Sequence, residues 1–451
     1  MLSIRRLLLL LVLCLPFFAT DVRAQAKKRE PPPDVPMQQW LAGPDRTDIP
    51  AEFKVLNPRF TFQQRYLVEC RSSISGEIAR GRELHIWLNV ADHAGSWQAG
   101  STYIRQDASP ALTKHNEIQF VGAFYALPGQ YTVAIVIYDG KSHQYDVRHM
   151  PVTVKPIEND PLAGRVETAS PAVEFLDDPP PNGTSFQKIS DYNKDVSDSL
   201  WPFAHVVDTF PLNSMRPLQI DVVLNLSDAG DVVEIPPSIL PRLRRSPDFD
   251  PRLMAPPPRE VKMQQRQKEY IGALLATAKV LAAIHPANGC VRVNAIDVMN
   301  MEVAIRRMSA DGVEWEKVRN YRTTSKLAEV SLTALKNRKE QPNFVREFLS
   351  GLQAPIEKCG TGAGAPLHAV IFVSQSYVFP SGSKKENFKS SDPGFQFFYY
   401  RLDVATKNIY DDLGSYLKSN GAKTYDLYGP RDLRDAMART LSDISHSSTA
   451  K

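Results

Sequence analysis

The sequence predicts an α/β domain with a doubly wound sheet in its C-terminal half and an all-β, immunoglobulin-like sandwich in its N-terminal half. Two observations predict this division. Between residues 51 and 156, short runs of β-branched and aromatic residues alternate with turn residues, which is typical of a sandwich. From residue 216 to residue 446, apolar strand-like runs alternate with amphipathic helical patterns, which is typical of a sheet covered on both faces.

The stretch from Leu218 to Gly230, LQIDVVLNLSDAG, is the central element of the second domain. Its apolar residues leave no polar face, so the pattern predicts a strand that is buried on both sides. Asn225, Ser227 and Asp228 follow at its carboxyl end, where open α/β sheets bind their ligands. We therefore expect the functional edge of the domain at this end of the sheet.

The other elements of this domain alternate along the chain. The first helix carries apolar residues at i, i+3, i+4 and i+7 spacing, and Pro286 follows its end. The predicted elements are a helix from Met263 to Ile284, strands at Cys290 to Ile296, Glu302 to Met308, Ala369 to Ser376, Gln396 to Leu402 and Thr424 to Leu427, and helices at Ser325 to Leu335, Asn343 to Ile356, Asp411 to Ser419 and Asp432 to Ile444.

This order, with the pattern around the first strand, resembles a von Willebrand factor A domain, the fold of integrin inserted domains. Members of that family end their first strand in Asp-x-Ser-x-Ser, which holds a divalent cation. The matching positions here are Asn225, Ser227 and Ala229, so the leading carboxylate and the second serine are missing.

The resemblance also implies further positions around the same edge. The metal-binding threonine of the family corresponds to Thr323 or Thr324. The acidic residue that the family places after its fourth strand corresponds to Gln375 or to a flanking serine, Ser374 or Ser376.

Magnesium prefers hard oxygen ligands and usually at least one carboxylate, which the three matching positions on the first strand do not offer. We therefore expect no cofactor and a pseudo-site in which Asn225 and Ser227 hold the loop by hydrogen bonds. The alternative is a bound Mg²⁺ in a site rebuilt by the nearby carboxylates of Asp228 and Asp231.

Residues 1–24 have the features of a secretory signal peptide. Arg5 and Arg6 precede an apolar run from Leu7 to Phe18 that is too short for a typical membrane span. Val22-Arg23-Ala24 fits the small-x-small pattern for cleavage before Gln25. The sequence thus predicts a secreted or periplasmic protein with no membrane span after cleavage; an uncleaved anchor is the alternative.

The composition is that of an ordinary globular protein, with 43% hydrophobic and 23% charged residues. The net charge is +4, of which the predicted signal peptide contributes about half, so there is no reason to expect a nucleic-acid partner. Residues 25–50 are polar and proline-rich, which predicts a linker. Residues 157–215 are mixed and are assigned to a linker or extension.

Three cysteines follow the signal peptide: Cys70, Cys290 and Cys359. Export permits a disulfide bond. Cys290 opens the second predicted strand and Cys359 precedes the Gly-rich turn before the fourth, so both are expected at the amino end of the sheet. A disulfide between them is one possibility, and two buried free cysteines are the other.

Candidate enzymatic and metal motifs in this chain are weak. His143 and His149 lie about 20 Å apart on an extended strand, at ~3.3 Å per residue, which is too far for them to share a metal ion. Ser374 and Ser376 lie on the strand that carries His368, but they lack the glycines of a nucleophile elbow. The sequence Gly360 to Pro366 precedes a strand, whereas a phosphate-binding loop follows one.

We therefore predict a non-enzymatic binding protein whose A-like domain engages a protein partner in the envelope or outside the cell. A metal-dependent adhesin of the same fold and a hydrolase with an unrecognised site are the alternatives. Two long segments, Asp231 to Val261 and Tyr377 to Gly394, leave the functional edge and are predicted to form the binding surface. Tyr377, Phe379 and Phe388 are its expected apolar anchors; two disordered loops are the alternative.

Overall fold

The computed structural model describes residues 32–169, 171–176, 207–227, 260–318, 337–354, 359–361, 366–380, 382–386, 388, 394–402 and 411–449. Several predicted features lie outside these residues. They are the signal peptide, the long segment from Asp231 to Val261 apart from its last two residues, the helix from Ser325 to Leu335, and the candidate residues Asp228, Asp231, Thr323 and Thr324.

Two antiparallel sheets pack face to face in the N-terminal half. One has the order β1-β9-β8-β5-β6, and the other has the order β10-β7-β4-β2 with β3 paired to β4. The strands are β1 (Arg46–Thr47), β2 (Glu52–Val55), β3 (Arg59–Phe60), β4 (Tyr66–Ser75), β5 (Glu83–Asp92), β6 (Thr102–Asp107), β7 (Glu117–Ala126), β8 (Gly129–Asp139), β9 (Tyr145–Val154) and β10 (Val173–Phe175). Apolar residues from both sheets form one core between them.

Part of the predicted linker is folded onto this sandwich. A short helix, α1 (Met37–Ala42), buries Trp40 and Leu41, and Ile49 lies fully buried in the sandwich core. The prediction of a linker over residues 25–50 is therefore wrong for its described part, residues 32–50, because these apolar side chains find partners on a distant sheet. A second short helix, α2 (Gly76–Ala79), follows β4.

The C-terminal half contains a six-stranded sheet with the order β15-β14-β12-β16-β17-β18. All neighbours are parallel except β15, which is the antiparallel edge strand. The strands are β12 (Leu218–Asn225), β14 (Gly289–Asp297), β15 (Glu302–Ser309), β16 (Leu367–Gln375), β17 (Phe395–Leu402) and β18 (Lys423–Leu427).

Helices cover both faces of this sheet. The described helices are α3 (Glu260–Ala282), α4 (Gln341–Leu352), α5 (Asp412–Ser419) and α6 (Pro430–Thr449). Apolar residues of α3 and α6 share one core with the sheet, and those of α4 and α5 share the other. The mixed helical and strand content agrees with the predicted fold class.

β12 is buried along its whole length, as predicted, and its polar residues Gln219 and Asp221 are buried with the apolar ones. It lies between β14 and β16, and the chain leaves β12 toward one side of the sheet and reaches β16 on the other. The carboxyl ends of these three strands therefore meet at a topological switch point, the position where open α/β sheets place their ligands.

The extension from residue 157 to residue 215 contributes to both halves. Its strand β10 pairs with β7 of the sandwich, and β11 (Phe210–Leu212) pairs in parallel with β13 (Ile284–Pro286) beside the larger sheet. The predicted helix end at Ile284 is therefore wrong, because Ile284 belongs to β13 and α3 ends at Ala282.

Cys290 and Cys359 form a disulfide bond at the amino end of β14, with their Cα atoms 5.2 Å apart. Cys70 is a buried free thiol in the sandwich, and burial raises its pKa far above the ordinary range.

Candidate functional site

Asn225 is the residue around which the carboxyl edge of the sheet is arranged. Its side chain is fully buried, and its Nδ2 donates to Ser374 Oγ at 2.9 Å. Its Oδ1 accepts from the backbone N–H of Ser227 at 3.1 Å, and its carbonyl oxygen accepts from Tyr270 Oη at 3.1 Å. Through its side-chain amide and its backbone carbonyl, Asn225 thus joins β12, β16, α3 and the loop after β12.

Ser227 extends this arrangement to β14. Its Oγ donates to Asp297 Oδ1 at 2.9 Å and accepts from the Met299 N–H at 2.9 Å. The carboxylate of Asp297 also accepts from the N–H and Nδ2 of Asn300, at 3.2 and 2.8 Å. Asp297 therefore receives three hydrogen bonds, which satisfy a buried carboxylate without an added cation.

Gln375 closes the edge between β16 and β12. Its Nε2 donates to the Ser227 carbonyl at 3.1 Å, and its backbone N–H donates to Tyr270 Oη at 3.1 Å. Tyr270 Oη in turn donates to the Asn225 carbonyl, so it links the ends of two neighbouring strands. The hydroxyl of Tyr270 therefore occupies the space between the carboxyl ends of β12 and β16.

Asp411 continues the network toward the N-terminus of α5. It accepts from the backbone N–H groups of Tyr377 and Gly414 at 3.1 and 2.9 Å, and from Tyr399 Oη at 3.0 Å. Burial raises the pKa of Asp411, and these hydrogen bonds oppose that shift. Tyr377 Oη donates to Gln341 Oε1 at 3.0 Å, which fixes the exit of β16 against α4.

The structure brings together four residues that the sequence singled out: Asn225, Ser227, Ser374 and Gln375. Ser376 and Tyr377 follow directly on the same edge and are buried. The hydroxyl of Ser376 has no hydrogen-bond partner among the described residues. The predicted apolar anchors are wrong, because Tyr377, Phe379 and Phe388 are 2–5% exposed and belong to the core under α4 and α5.

Three residues of the network were missed by sequence reasoning: Tyr270, Asp297 and Asp411. Asp297 directly follows the apolar run of the second strand, so its position at the shared edge was a usable signal. Tyr270 and Asp411 reach the edge from a helix and from a helix N-cap, and no local pattern marks them.

Among the described residues at this edge, the side-chain oxygens of Asn225, Ser227 and Asp297 are already engaged in hydrogen bonds. The Asn225 side chain donates a hydrogen bond to Ser374. The carboxylate of Asp297 already accepts three hydrogen bonds. Within the described ranges, no group of three or more His, Cys, Asp or Glu residues is arranged to hold a metal ion. Asn225 and Ser227 make hydrogen bonds to the loop after β12 and to its neighbours, as expected of them in the sequence analysis. The absence of a bound cation stays a prediction, since Asp228, Asp231, Thr323 and Thr324 lie outside the described residues.

A second buried polar cluster lies near the amino end of β12. Asp221 Oδ2 lies 2.8 Å from His368 Nε2 and accepts from Gln219 Nε2 at 2.8 Å, while its Oδ1 accepts from Asn294 Nδ2 at 2.8 Å. His368 lies six residues before Ser374 on β16, about 20 Å at ~3.3 Å per residue. Ser374 therefore does not form a nucleophile–base pair with His368.

No family model matches the chain, and no curated protein matches it. Solved structures resemble it weakly. The Northeast Structural Genomics Consortium target SoR45 is 12% identical with a TM-score of 0.13, over 25% of this chain and 84% of that one. A beta-glucuronidase from Bacteroides uniformis is 8% identical with a TM-score of 0.19, over 71% of this chain and 33% of that enzyme.

A family 123 glycoside hydrolase from Clostridium perfringens is 7% identical with a TM-score of 0.19, over 84% of this chain and 72% of that enzyme. All three TM-scores are too low to carry an argument about fold or activity. Among the described helices, none is both long and apolar enough to cross a membrane.

Proposed function

We propose that this chain is a secreted or periplasmic, non-enzymatic binding protein that uses an A-like α/β domain to engage a protein partner of the envelope or extracellular space. The strand order, with one antiparallel edge strand, is compatible with the von Willebrand factor A resemblance. The disulfide bond between Cys290 and Cys359 is compatible with an oxidising compartment.

The observation that carries the proposal is the closed hydrogen-bond network at the carboxyl edge. Asn225, Ser227 and Asp297 satisfy one another and the neighbouring strands. Such an edge is a rigid support rather than an open ligand site, because each buried donor and acceptor that leaves the network would lose a partner. Recognition then falls to surface residues around the edge and needs no metal ion.

The competing function is a metal-dependent adhesin of the same fold, and the carboxylate of Asp297 beside Asn225 and Ser227 is the feature that favours it. The two functions differ in one measurable property. The proposed binding protein captures its partner equally well with EDTA and with millimolar Mg²⁺, whereas the adhesin loses its partner in EDTA.

The test begins with capture of envelope and extracellular proteins by the immobilised protein, with chemical cross-linking to identify the partner. Lys384 and Lys385 are exposed near the N-terminus of α5, where Lys385 Nζ contacts Asp412 at 2.8 Å. The double variant K384E/K385E is expected to reduce capture about tenfold or more. The matched control is K423E at the start of β18, at the opposite edge of the sheet. Equal capture by both variants would move the binding surface to the sandwich.

A further inference from the structure

An N-terminal strap, residues 32–48, crosses the outer face of the sandwich. Trp40 and Leu41 are buried there against a cluster that includes Trp87 and Val147. The Trp40 ring stacks on Tyr145, with ring centroids 4.2 Å apart. This apolar contact does not depend on pH, but two titratable side chains of β9 lie beside the same strap.

His149 of β9 is the first of these side chains. Its Nδ1 lies 2.8 Å from Asp45 Oδ1, and its Nε2 lies 3.1 Å from the carbonyl oxygen of Leu41. Both partners belong to the strap, and an ionised carboxylate and a carbonyl can only accept hydrogen bonds. An imidazole donates from both nitrogens only when it is protonated, so a neutral ring makes one of these two bonds and the imidazolium makes both.

Asp146 of β9 is the second titratable residue beside the strap. It lies opposite Thr47 of the strap, it is fully buried, and neither carboxylate oxygen has a hydrogen-bond partner among the described residues. The nearest cation is Arg148, with its Nε 3.6 Å from Oδ1. An ionised carboxylate in this position costs stability, whereas the protonated form is neutral.

The charged groups around these two residues come from the strap and from β9. The strap carries Asp45 and Asp48, which have the same charge as ionised Asp146 and repel it. It also carries Arg46, which donates hydrogen bonds to Asp48 and Tyr145. β9 itself carries Arg148, which contacts both Asp45 and Asp146. The neighbouring strand β8 presents Ile137 opposite Asp146 and Ala134 opposite His149, so it supplies no compensating charge.

We propose that the strap is an acid-tightened latch, held more firmly on the sandwich at mildly acidic pH than at pH 8. The imidazolium form of His149 makes two hydrogen bonds to the strap where the neutral form makes one. Protonation of Asp146 removes a buried charge that has no hydrogen bond among the described residues. Both protonations act in the same direction.

The signs of the pKa shifts agree with this direction. Burial, with the charges of Asp45 and Asp48, raises the pKa of Asp146 to about 6, against the opposing effect of Arg148. The bound strap thus favours the protonated form, and its stabilisation is lost as pH rises through about 6. Desolvation raises the pKa of Asp45, but the hydrogen bonds from His149 outweigh it, so the pKa is lowered. The contribution of Asp45 to the stability of the strap is therefore lost only when the pH falls below the ordinary pKa of an aspartate. The strap is therefore held most firmly between about pH 4 and 6.

Hydrogen–deuterium exchange of the strap amides tests this proposal in the full mature chain. Protection of residues 37–47, corrected for intrinsic exchange at each pH, is expected to be about tenfold higher at pH 5.5 than at pH 8. D146N should raise protection at pH 8, and H149Q should lower it at pH 5.5. The double variant D146N/H149Q should show no pH dependence. Protection of β4 reports whether each variant is folded.

H115Q is the matched control, because His115 is exposed and lies outside the strap contact. It should behave as the wild type. A wild-type protection ratio near one between the two pH values would overturn the proposal. So would a tenfold ratio that persists unchanged in the double variant, since the pH dependence would then arise elsewhere.

Discussion

The buried polar side chains of the α/β domain at Asp221 and Asn225 form hydrogen bonds with one another rather than with solvent. Asp221 accepts from Asn294 and Gln219 and contacts His368, and the adjacent network at Asn225 satisfies an amide, two hydroxyls and a carboxylate. Such matching makes single substitutions costly, since a buried group that loses its partner bears the full desolvation penalty. It also leaves few donors for an added ligand.

Replacement of Asp221 by Asn should destabilise the protein strongly. In the wild type, the side-chain amides of Asn294 and Gln219 donate to the Asp221 carboxylate, and in D221N one of them faces an N–H group instead. His368 also loses its carboxylate partner. We expect a loss of about 3–5 kcal/mol in the free energy of unfolding, measured by urea denaturation at neutral pH. The control is D426N, which breaks the more exposed contact with Arg401 and should cost less than about 1 kcal/mol. Equal losses of unfolding free energy in D221N and D426N would contradict the expectation that the buried contact contributes more stability than the exposed one.

Magnesium should leave the melting temperature unchanged. A ligand that binds the folded state raises its stability by RT ln(1 + [L]/Kd), and the donors at Asn225, Ser227 and Asp297 are already engaged. The measurement is a thermal melt with millimolar Mg²⁺, repeated after addition of EDTA. A rise of several degrees that EDTA reverses would show that Asp228 or Asp231 has rebuilt a cation site.

At the scale of elements, continuous periodicity was the reliable guide. The strands from Leu218, Cys290 and Ala369 were predicted to within about two residues of their observed bounds, because each is rich in apolar and β-branched residues. The last helix was predicted from Asp432 to Ile444, and it extends to Thr449. Two errors share one cause. The strap and the strand at Ile284 depend on partners far away in sequence, and Pro-rich composition or helical spacing does not reveal such partners.

The candidate site follows the same division. Asn225, Ser227, Ser374 and Gln375 were predictable because they end strands whose order brings them to one edge. Tyr270 lies near the middle of α3, and only tertiary packing places its hydroxyl between the ends of β12 and β16. The apolar residues Phe379 and Phe388 gave the wrong expectation, because an apolar residue in a long connection can cover its own domain instead of a partner.

The disulfide between Cys290 and Cys359 should be a major stabiliser of the α/β domain. It closes a loop with a sequence separation of 69, and cross-links of this length constrain the unfolded chain strongly. The double variant C290A/C359A should lose about 2–4 kcal/mol in the free energy of unfolding by denaturant titration. Dithiothreitol should lower wild-type stability by a similar amount and leave the double variant unaffected. An equal effect of the reductant on both proteins would mean that the bond is not formed in solution.

At the scale of the whole molecule, the two halves share a buried joint. Phe62 of the sandwich belongs to the core of the α/β half, together with Leu162 of the extension. Arg65 is fully buried and donates to the carbonyl oxygens of Ala169 and Pro171 and to Asp208. These contacts favour cooperative unfolding of the two halves, because neither buries its joint residues alone.

Arg434 of α6 is the residue that tests this cooperativity. Its guanidinium donates to both carboxylate oxygens of Asp160, at 2.5 and 2.6 Å, and to Gln64 Oε1 of the sandwich at 3.2 Å. R434A leaves Asp160 and Gln64 without these donors at a largely buried joint, so the contact between the halves should weaken by about 2 kcal/mol or more. Differential scanning calorimetry should then resolve two transitions where the wild type gives one. R439A is the matched control, since Arg439 is an exposed residue of the same helix, and it should keep a single transition near the wild-type temperature. A single, undisplaced transition in R434A would mean that Phe62 and Arg65 alone hold the two halves together.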